Sequence, residues 1–304
     1  MHKTGEFYRP PTEADTPLLE VTYGCAWNKC SFCNMYQKTK FGVSPLKDIK
    51  EDLEELKTHN PEGIERIFIT NGDSFILPTE NLIKISELIQ KYFPDIKTIS
   101  SYASINSIKE KSEEELKKIS DYHYNDLYIG LESGCDKVLK LLNKGFDKHE
   151  EKSSLQKLED AGIDYNALIM LGAGGHEYSK QHIKESVQLV NRYKPKILSL
   201  LSTTINENTV LNEMVKEGSF TPLTEKEMIE EELLFLKTVE FDDEAYFFGN
   251  HVFNTISATG YFKHKDFIID YIEEEYNRLM SEKEEMMNSV FNTYPKKRGG
   301  FLFI

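Results

Sequence analysis

Leu18-Leu19-Glu20-Val21-Thr22-Tyr23-Gly24-Cys25-Ala26-Trp27-Asn28-Lys29-Cys30-Ser31-Phe32-Cys33 is an apolar, β-branched run that feeds straight into a loop holding three of the chain's four cysteines. Its first half, Leu18 to Tyr23, reads as a strand, because β-branched and apolar residues suit extended, half-buried backbone. Its second half spaces the thiols as C-x4-C-x2-C within nine positions. In parallel α/β folds, loops at the carboxyl ends of strands carry the active site, so a thiol cluster directly after a strand is a candidate centre.

Working outward, the same alternation of short apolar runs with charged, helix-periodic runs repeats along the chain. Further strands are expected at Arg66-Thr70, Thr98-Tyr102, Leu127-Leu131, Tyr165-Leu171 and Ile197-Thr203, and helices at Pro45-Thr58, Glu80-Tyr92, Glu113-Ser120, Glu150-Ala161 and Ser179-Tyr193. Ser44-Pro45 reads as a cap followed by a first-turn proline, Ser112 with Glu115 as a capping box, and Gly162 as a helix stop. Six consecutive βα units with right-handed crossovers curl into an incomplete (β/α)6 TIM-like barrel. An open doubly wound sheet satisfies the same periodicity.

Past Asn206 the alternation stops, and two acidic helical stretches, Glu225-Lys237 and Asp266-Met287, dominate. The expected organisation is therefore a barrel over residues 1–205, with its cysteine loop at 24–36, and a mainly helical C-terminal extension over 206–304 packed on it. The tail from Lys296 to Ile304 is basic and then apolar, and is expected to tuck into a groove or fray.

Thiolates select iron-sulfur clusters, zinc or copper(I). Three are an informative number: a structural zinc wants a fourth protein ligand, whereas a four-iron cubane held by three cysteines keeps one iron open to a small molecule. Plant-type [2Fe-2S] ferredoxins share the C-x4-C-x2-C spacing and add a distant cysteine, a place for which Cys135 is the one candidate. A disulfide framework is a poor account of three cysteines so crowded. There is no second cysteine cluster to hold an auxiliary centre.

Thr22-Tyr23-Gly24-Cys25 followed by Cys30-Ser31-Phe32-Cys33-Asn34 resembles the radical S-adenosylmethionine (SAM) superfamily, and within it the group of oxygen-independent coproporphyrinogen oxidase-like proteins and the Elongator catalytic subunit. Most members space their cysteines C-x3-C-x2-C, so this chain has one extra residue in the first gap. The resemblance spans Leu18 to Thr203. It implies a [4Fe-4S] cluster on Cys25, Cys30 and Cys33, with Phe32 beside the cofactor. It further implies that Asn71-Gly72-Asp73 meets the SAM amino group, that Ser104 contacts its sugar or carboxylate, and that Glu132 accepts from ribose hydroxyls. Lys144 would face the SAM carboxylate, and Ile169 and Met170 would pack on adenine. The activity implied is reductive cleavage of SAM to a 5'-deoxyadenosyl radical that abstracts hydrogen from a small-molecule substrate, fed by a flavodoxin or ferredoxin; since such donors and this chain are both acidic, a local basic patch near Lys38 and Lys40 is the expected dock. A noncatalytic relative that binds a cofactor for delivery stays open beside it.

On the substrate side the residues offer His251, in Gly249-Asn250-His251-Val252-Phe253-Asn254, as a proton donor or acceptor near neutrality, and Cys135 as a proton or hydrogen-atom donor. The formal charge of -14, from 37 Lys and Arg against 51 Asp and Glu, opposes unspecific attraction to nucleic acid and anionic lipid. With no signal-peptide pattern and no long apolar run, a cytoplasmic protein is expected.

Overall fold

The computed structural model describes residues 2–5, 8–290 and 301–303, the last three by their backbone alone. In chain order the strands are β1 (Leu18–Leu19), β2 (Thr22–Tyr23), β3 (Gly42–Val43), β4 (Arg66–Ile69), β5 (Thr98–Ala103), β6 (Asp126–Glu132), β7 (Asp164–Leu171), β8 (Ile197–Ser202), β9 (Tyr246–Phe248), β10 (Ser257–Tyr261) and β11 (Phe301–Phe303). The helices are α1 (Leu46–His59), α2 (Thr79–Tyr92), α3 (Ile105–Lys109), α4 (Glu113–Asp121), α5 (Asp136–Leu141), α6 (Lys148–Ala161), α7 (Gly175–Tyr193), α8 (Val210–Lys216), α9 (Glu225–Thr238), α10 (Lys265–Glu282) and α11 (Glu284–Met287). The chain forms two compact units, one of residues 1–28, 35–130 and 149–165, the other of 29–34, 131–148 and 166–304.

In the first unit β1, β4, β5 and β6 lie side by side, all parallel, with Leu18 opposite Phe68, Phe68 opposite Ser100 and Ser101 opposite Leu127. Ile67, Phe68, Ile69, Ile99, Leu127 and Ile129 are fully buried, as parallel strands covered by helices require. Near the amino ends of these strands Arg66 joins Glu13 and Asp126, its Nε donating to Glu13 at 3.1 Å and its Nη2 to Asp126 at 2.7 Å. That is the stability end of such a fold; the carboxyl ends carry the chemistry.

The run expected as one strand from Leu18 to Tyr23 is two. β1 joins the parallel strands, while β2 pairs antiparallel with β3, Thr22 opposite Val43, to form the stem of the cysteine loop. Glu20 separates them; its buried carboxylate accepts the Thr4 amide at 3.1 Å. Ser44 does not cap α1, whose N-cap is Pro45; the Ser44 hydroxyl meets the His2 ring at 3.1 Å instead. The Ser112–Glu115 capping box forms, and Gly162 ends α6 at φ +67°.

In the second unit β7, β8 and β9 run parallel, β10 returns antiparallel to β9, and β11 pairs parallel with β10. The stretch beyond residue 206 thus holds three strands besides its helices. β9 spans three residues and β10 contains Gly260, too little for a period-2 pattern to stand out. α9 matches the first acidic helical stretch, the second divides at Lys283 into α10 and α11, and Thr224 with Glu227 caps α9 reciprocally. Of the tail, 296–300 and Ile304 lie outside the described residues, while Phe301 pairs with Ser257. Among the described residues no helix is long and apolar enough to cross a membrane.

Candidate functional site

In the first unit, Gly24 turns the chain out of β2 at φ +73° and Cys25 follows, half-buried. The segment after β4 packs against it. Gly72 donates its amide to the Gly24 carbonyl at 3.2 Å, and a Cβ on Gly72 would lie 2.7 Å from the Cys25 Cβ and 2.9 Å from the Tyr36 ring. Only glycine permits that approach. Asn71, fully buried at φ +77°, is held there by its amide, which donates to the Thr22 carbonyl at 2.8 Å.

Asp73, the next residue, is buried, and the Ser104 hydroxyl, one strand over, donates to its Oδ2 at 2.6 Å. Ser104 is fixed in turn as the N-cap of α3 by a reciprocal bond with Ser107. The other Asp73 oxygen, Oδ1, has no hydrogen-bond partner. Burial pushes the Asp73 carboxyl up to about 6, against the pull of the Ser104 and Ser107 hydroxyls and the nearby Lys111 charge.

In the second unit the Cys33 amide donates to the Cys30 carbonyl at 3.2 Å, a tight turn with both half-buried thiols on it. That turn is anchored on both sides of Ser31, whose amide and hydroxyl donate to Leu142 and Leu141 carbonyls at 2.9 and 2.8 Å and whose carbonyl accepts from Leu211 at 2.8 Å. Phe32 packs against the buried group of Cys135, Val138, Leu142, Met170 and Ala173. Lys144 and Glu132 are brought together: Nζ meets Oε1 at 3.0 Å, both residues under 10 % exposed. Glu132 holds φ +64° at the end of β6, a strained conformation for a residue with a side chain. Ile169 is fully buried in β7, one residue before Met170.

Of the two substrate-side residues, Cys135 belongs to the buried group against which Phe32 packs, whereas His251 lies outside it. Cys135 is fully buried among apolar side chains. The His251 ring lies edge-on to Phe253 and is pushed down to about 4 by burial, so it is neutral near pH 7. Its Nδ1 accepts the Phe253 amide at 3.4 Å, leaving the proton on Nε2. Asn254 ties this loop to β8, accepting from the Ser202 amide and donating to the Leu200 and Gly249 carbonyls at 2.8 to 2.9 Å. Sequence reading passed over three buried polar groups: His182, the serine-flanked histidine of α7, and Glu231 and Glu232 of α9. An apolar helical face interrupted by His182 and Ser186, four apart, was the available signal for the first.

Among the described residues no three His, Cys, Asp or Glu side chains form a ready metal-ligand group. The residues nonetheless fit an iron-sulfur cluster with a SAM ligand. The donors of the loop are thiols alone, which suits iron-sulfur rather than a hard cation. Gly72 keeps the Cys25 side of the loop closely backed, and the unpartnered Asp73 Oδ1 is the acceptor an ammonium group would satisfy.

Comparison with known proteins agrees with this donor chemistry. A provisionally named methylthiotransferase of Methanocaldococcus jannaschii is 28% identical over 150 residues, 48% of this chain and 32% of that one. A heme chaperone of Bacillus subtilis is 22% identical over 196 residues, 62% of this chain and 51% of the relative. A tRNA-2-methylthio-N(6)-dimethylallyladenosine synthase of Syntrophus aciditrophicus is 24% identical over 185, 58% and 39%. The chain thus spans about half the length of these relatives or less. Coproporphyrinogen III oxidase of Escherichia coli, a radical SAM enzyme, shares the fold at a TM-score of 0.52 and 16% identity, over 73% of this chain and 52% of that one. The model of the radical SAM superfamily matches residues 19–190, from β1 through α7, so the stretch that carries the cysteine loop, Gly72, Asp73, Glu132 and Met170 is the family's own, and the chain belongs to the radical SAM superfamily.

Proposed function

We propose that this chain is a radical SAM enzyme in which Cys25, Cys30 and Cys33 hold a [4Fe-4S] cluster and the strand ends hold SAM. The observation that carries the reading is the C-x4-C-x2-C loop at a strand's carboxyl end, inside the family match. Bound there, the reduced cluster would supply the one electron that splits SAM into methionine and a 5'-deoxyadenosyl radical able to take hydrogen from a substrate carbon. The chain's own residues bind and orient: Asp73 Oδ1 accepts the SAM ammonium, and Ser104 keeps the carboxylate aimed by holding Oδ2. Lys144 and Glu132, paired at 3.0 Å, offer one charge to the SAM carboxylate and one acceptor to its ribose. Phe32 and Met170, which share one cluster, supply apolar surface that favours adenine and excludes water, while the fully buried Ile169 next to Met170 in β7 turns to the other face of the sheet.

The test is electron paramagnetic resonance on anaerobically reconstituted, dithionite-reduced protein with and without SAM, alongside chromatography for 5'-deoxyadenosine. A four-iron signal that changes with SAM, with 5'-deoxyadenosine formed, is the expected result. Alanine at Cys25, Cys30 or Cys33 should abolish the signal, and alanine at Cys135 should leave it intact. A two-iron signal lost with Cys135 would mean an electron carrier. Cluster and SAM binding without turnover would mean a cofactor-binding protein, a reading favoured by the relative that is a heme chaperone.

A further inference from the structure

His182 lies in α7, fully buried, beneath the carboxyl ends of two strands. Its Nε2 is 2.8 Å from the Met170 carbonyl oxygen of β7, and its Nδ1 is 2.8 Å from the hydroxyl of Ser133, the residue directly after β6. A carbonyl only accepts, so the ring proton sits on Nε2 and the Ser133 hydroxyl donates to Nδ1. Ser133 Oγ in turn accepts the Cys135 amide at 3.0 Å, and Ser186, one turn along α7, accepts the Gly134 amide at 2.9 Å. A Cβ on Gly134 would lie 2.6 Å from the Glu185 carbonyl oxygen, so the turn 133–135 sits directly on the helix. Burial pushes His182 down to about 4, which keeps the ring neutral near pH 7.

A buried polar chain of this kind costs desolvation, and an apolar side chain would fill the volume without that cost. What it supplies is geometry. One side chain fixes both Ser133, which follows the strained Glu132, and Met170. We propose that His182 is a positioning residue that locks the ends of β6 and β7 in the arrangement in which Glu132 and Met170 receive SAM. The inference rests on the SAM-binding reading above. It assigns no contact between His182 and the cofactor; the ring acts through Ser133 and Met170.

The experiment compares wild type with His182→Phe, which keeps an aromatic ring without hydrogen bonds, His182→Gln, which can still donate to Met170, and Ser133→Ala. SAM affinity is measured by anaerobic calorimetry on the reconstituted protein, amide exchange at Gly134 and Cys135 by mass spectrometry, and KM and kcat for 5'-deoxyadenosine formation with dithionite. His182→Phe should weaken SAM binding about tenfold, raise KM in parallel, leave kcat within about twofold and speed exchange at 134–135. His182→Gln should recover part of the loss. Should His182→Phe fail to fold, Ser133→Ala cuts the same link and should weaken SAM binding several-fold. SAM affinity and KM unchanged in the folded variants, with exchange alone accelerated, would overturn the positioning role while leaving the family chemistry standing. A wild type that binds no SAM would sink the underlying reading instead.

Discussion

Gly72 shows how a residue with no side chain can shape the proposed cofactor site. Its hydrogen occupies the space between Cys25 and Tyr36, where a methyl group would stand 2.7 Å and 2.9 Å from their nearest atoms. Overpacking of that order costs about 1–3 kcal/mol, too little to unfold a domain of this size but enough to push a ligand off its site. Gly72→Ala should therefore keep its far-ultraviolet circular dichroism while losing most of its iron and sulfide on reconstitution; full cluster loading would contradict the proposed role of Cys25. Asp73 argues through protonation. Its carboxyl, raised to about 6 by burial, is an acceptor for an ammonium only when ionised. SAM affinity should thus hold above pH 7 and fall toward tenfold per unit as pH drops below 6, and Asp73→Asn should bind weakly with no such dependence. Affinity flat from pH 5 to 8 in the wild type would mean that Asp73 does not meet the ligand.

At the scale of elements, α9 contributes a titration of its own. Burial raises Glu232 to about 8, and raises Glu231 to about 7 despite the Ser179 side chain and the Gly172 amide, which donates to it at 2.6 Å. Both folded-state values lie above the ordinary one, so the fold holds protons that the unfolded chain releases. Stability is then greatest below about pH 4.5 for these two groups and is lost as pH rises through 7 and 8. Thermal melts should show the midpoint falling by a few degrees between pH 6 and 9, and Glu232→Gln should shrink that fall. The position of α9 was legible beforehand in the acidic helical stretch from Glu225 to Lys237. Its buried acids were not, since what covers Glu231 and Glu232, the Gly172 amide at the one and Gly249 beside the other, is distant in sequence. The same distinction runs through the chain. Strands such as Thr98–Ala103 and Asp164–Leu171 were readable from composition to within a residue or two. β9 and β10 exist because β8 offers an edge to pair with, a long-range fact no local pattern encodes. In the candidate site the thiols and the turn at Asn71-Gly72-Asp73 were visible in one dimension, whereas the Glu132–Lys144 pair and the His182 chain depend on tertiary contacts.

For the whole molecule the governing quantity is charge. A net charge of -14 disfavours a phosphate backbone, yet one similar protein is by name a tRNA-2-methylthio-N(6)-dimethylallyladenosine synthase, so the expectation that nucleic acid is a disfavoured partner is one to measure. Filter binding of bulk tRNA at 150 mM salt should give no retention below about 100 μM protein; micromolar binding with a steep salt slope would reveal a basic surface stronger than the sequence balance allows. Charge also bears on the electron donor. Residues 35–50 carry Lys38, Lys40, Lys47 and Lys50 against Asp48 alone, reversing the sign of the chain, and Met35, Val43 and Leu46 in the same stretch are 43, 49 and 54% exposed. Met35 follows Cys33 by two residues, so its Cα lies within about 7 Å of that of the proposed cluster ligand. An acidic flavodoxin or ferredoxin seated on this surface would meet complementary charge, an apolar centre and a short path to the cluster. Reversing Lys38 and Lys40 together to glutamate should slow reduction by flavodoxin about tenfold at low salt, with the difference shrinking as salt is raised, and leave reduction by dithionite unchanged. Equal flavodoxin rates in variant and wild type would move the docking surface elsewhere, and equal slowing with both reductants would mean that the substitutions had disturbed the cluster itself.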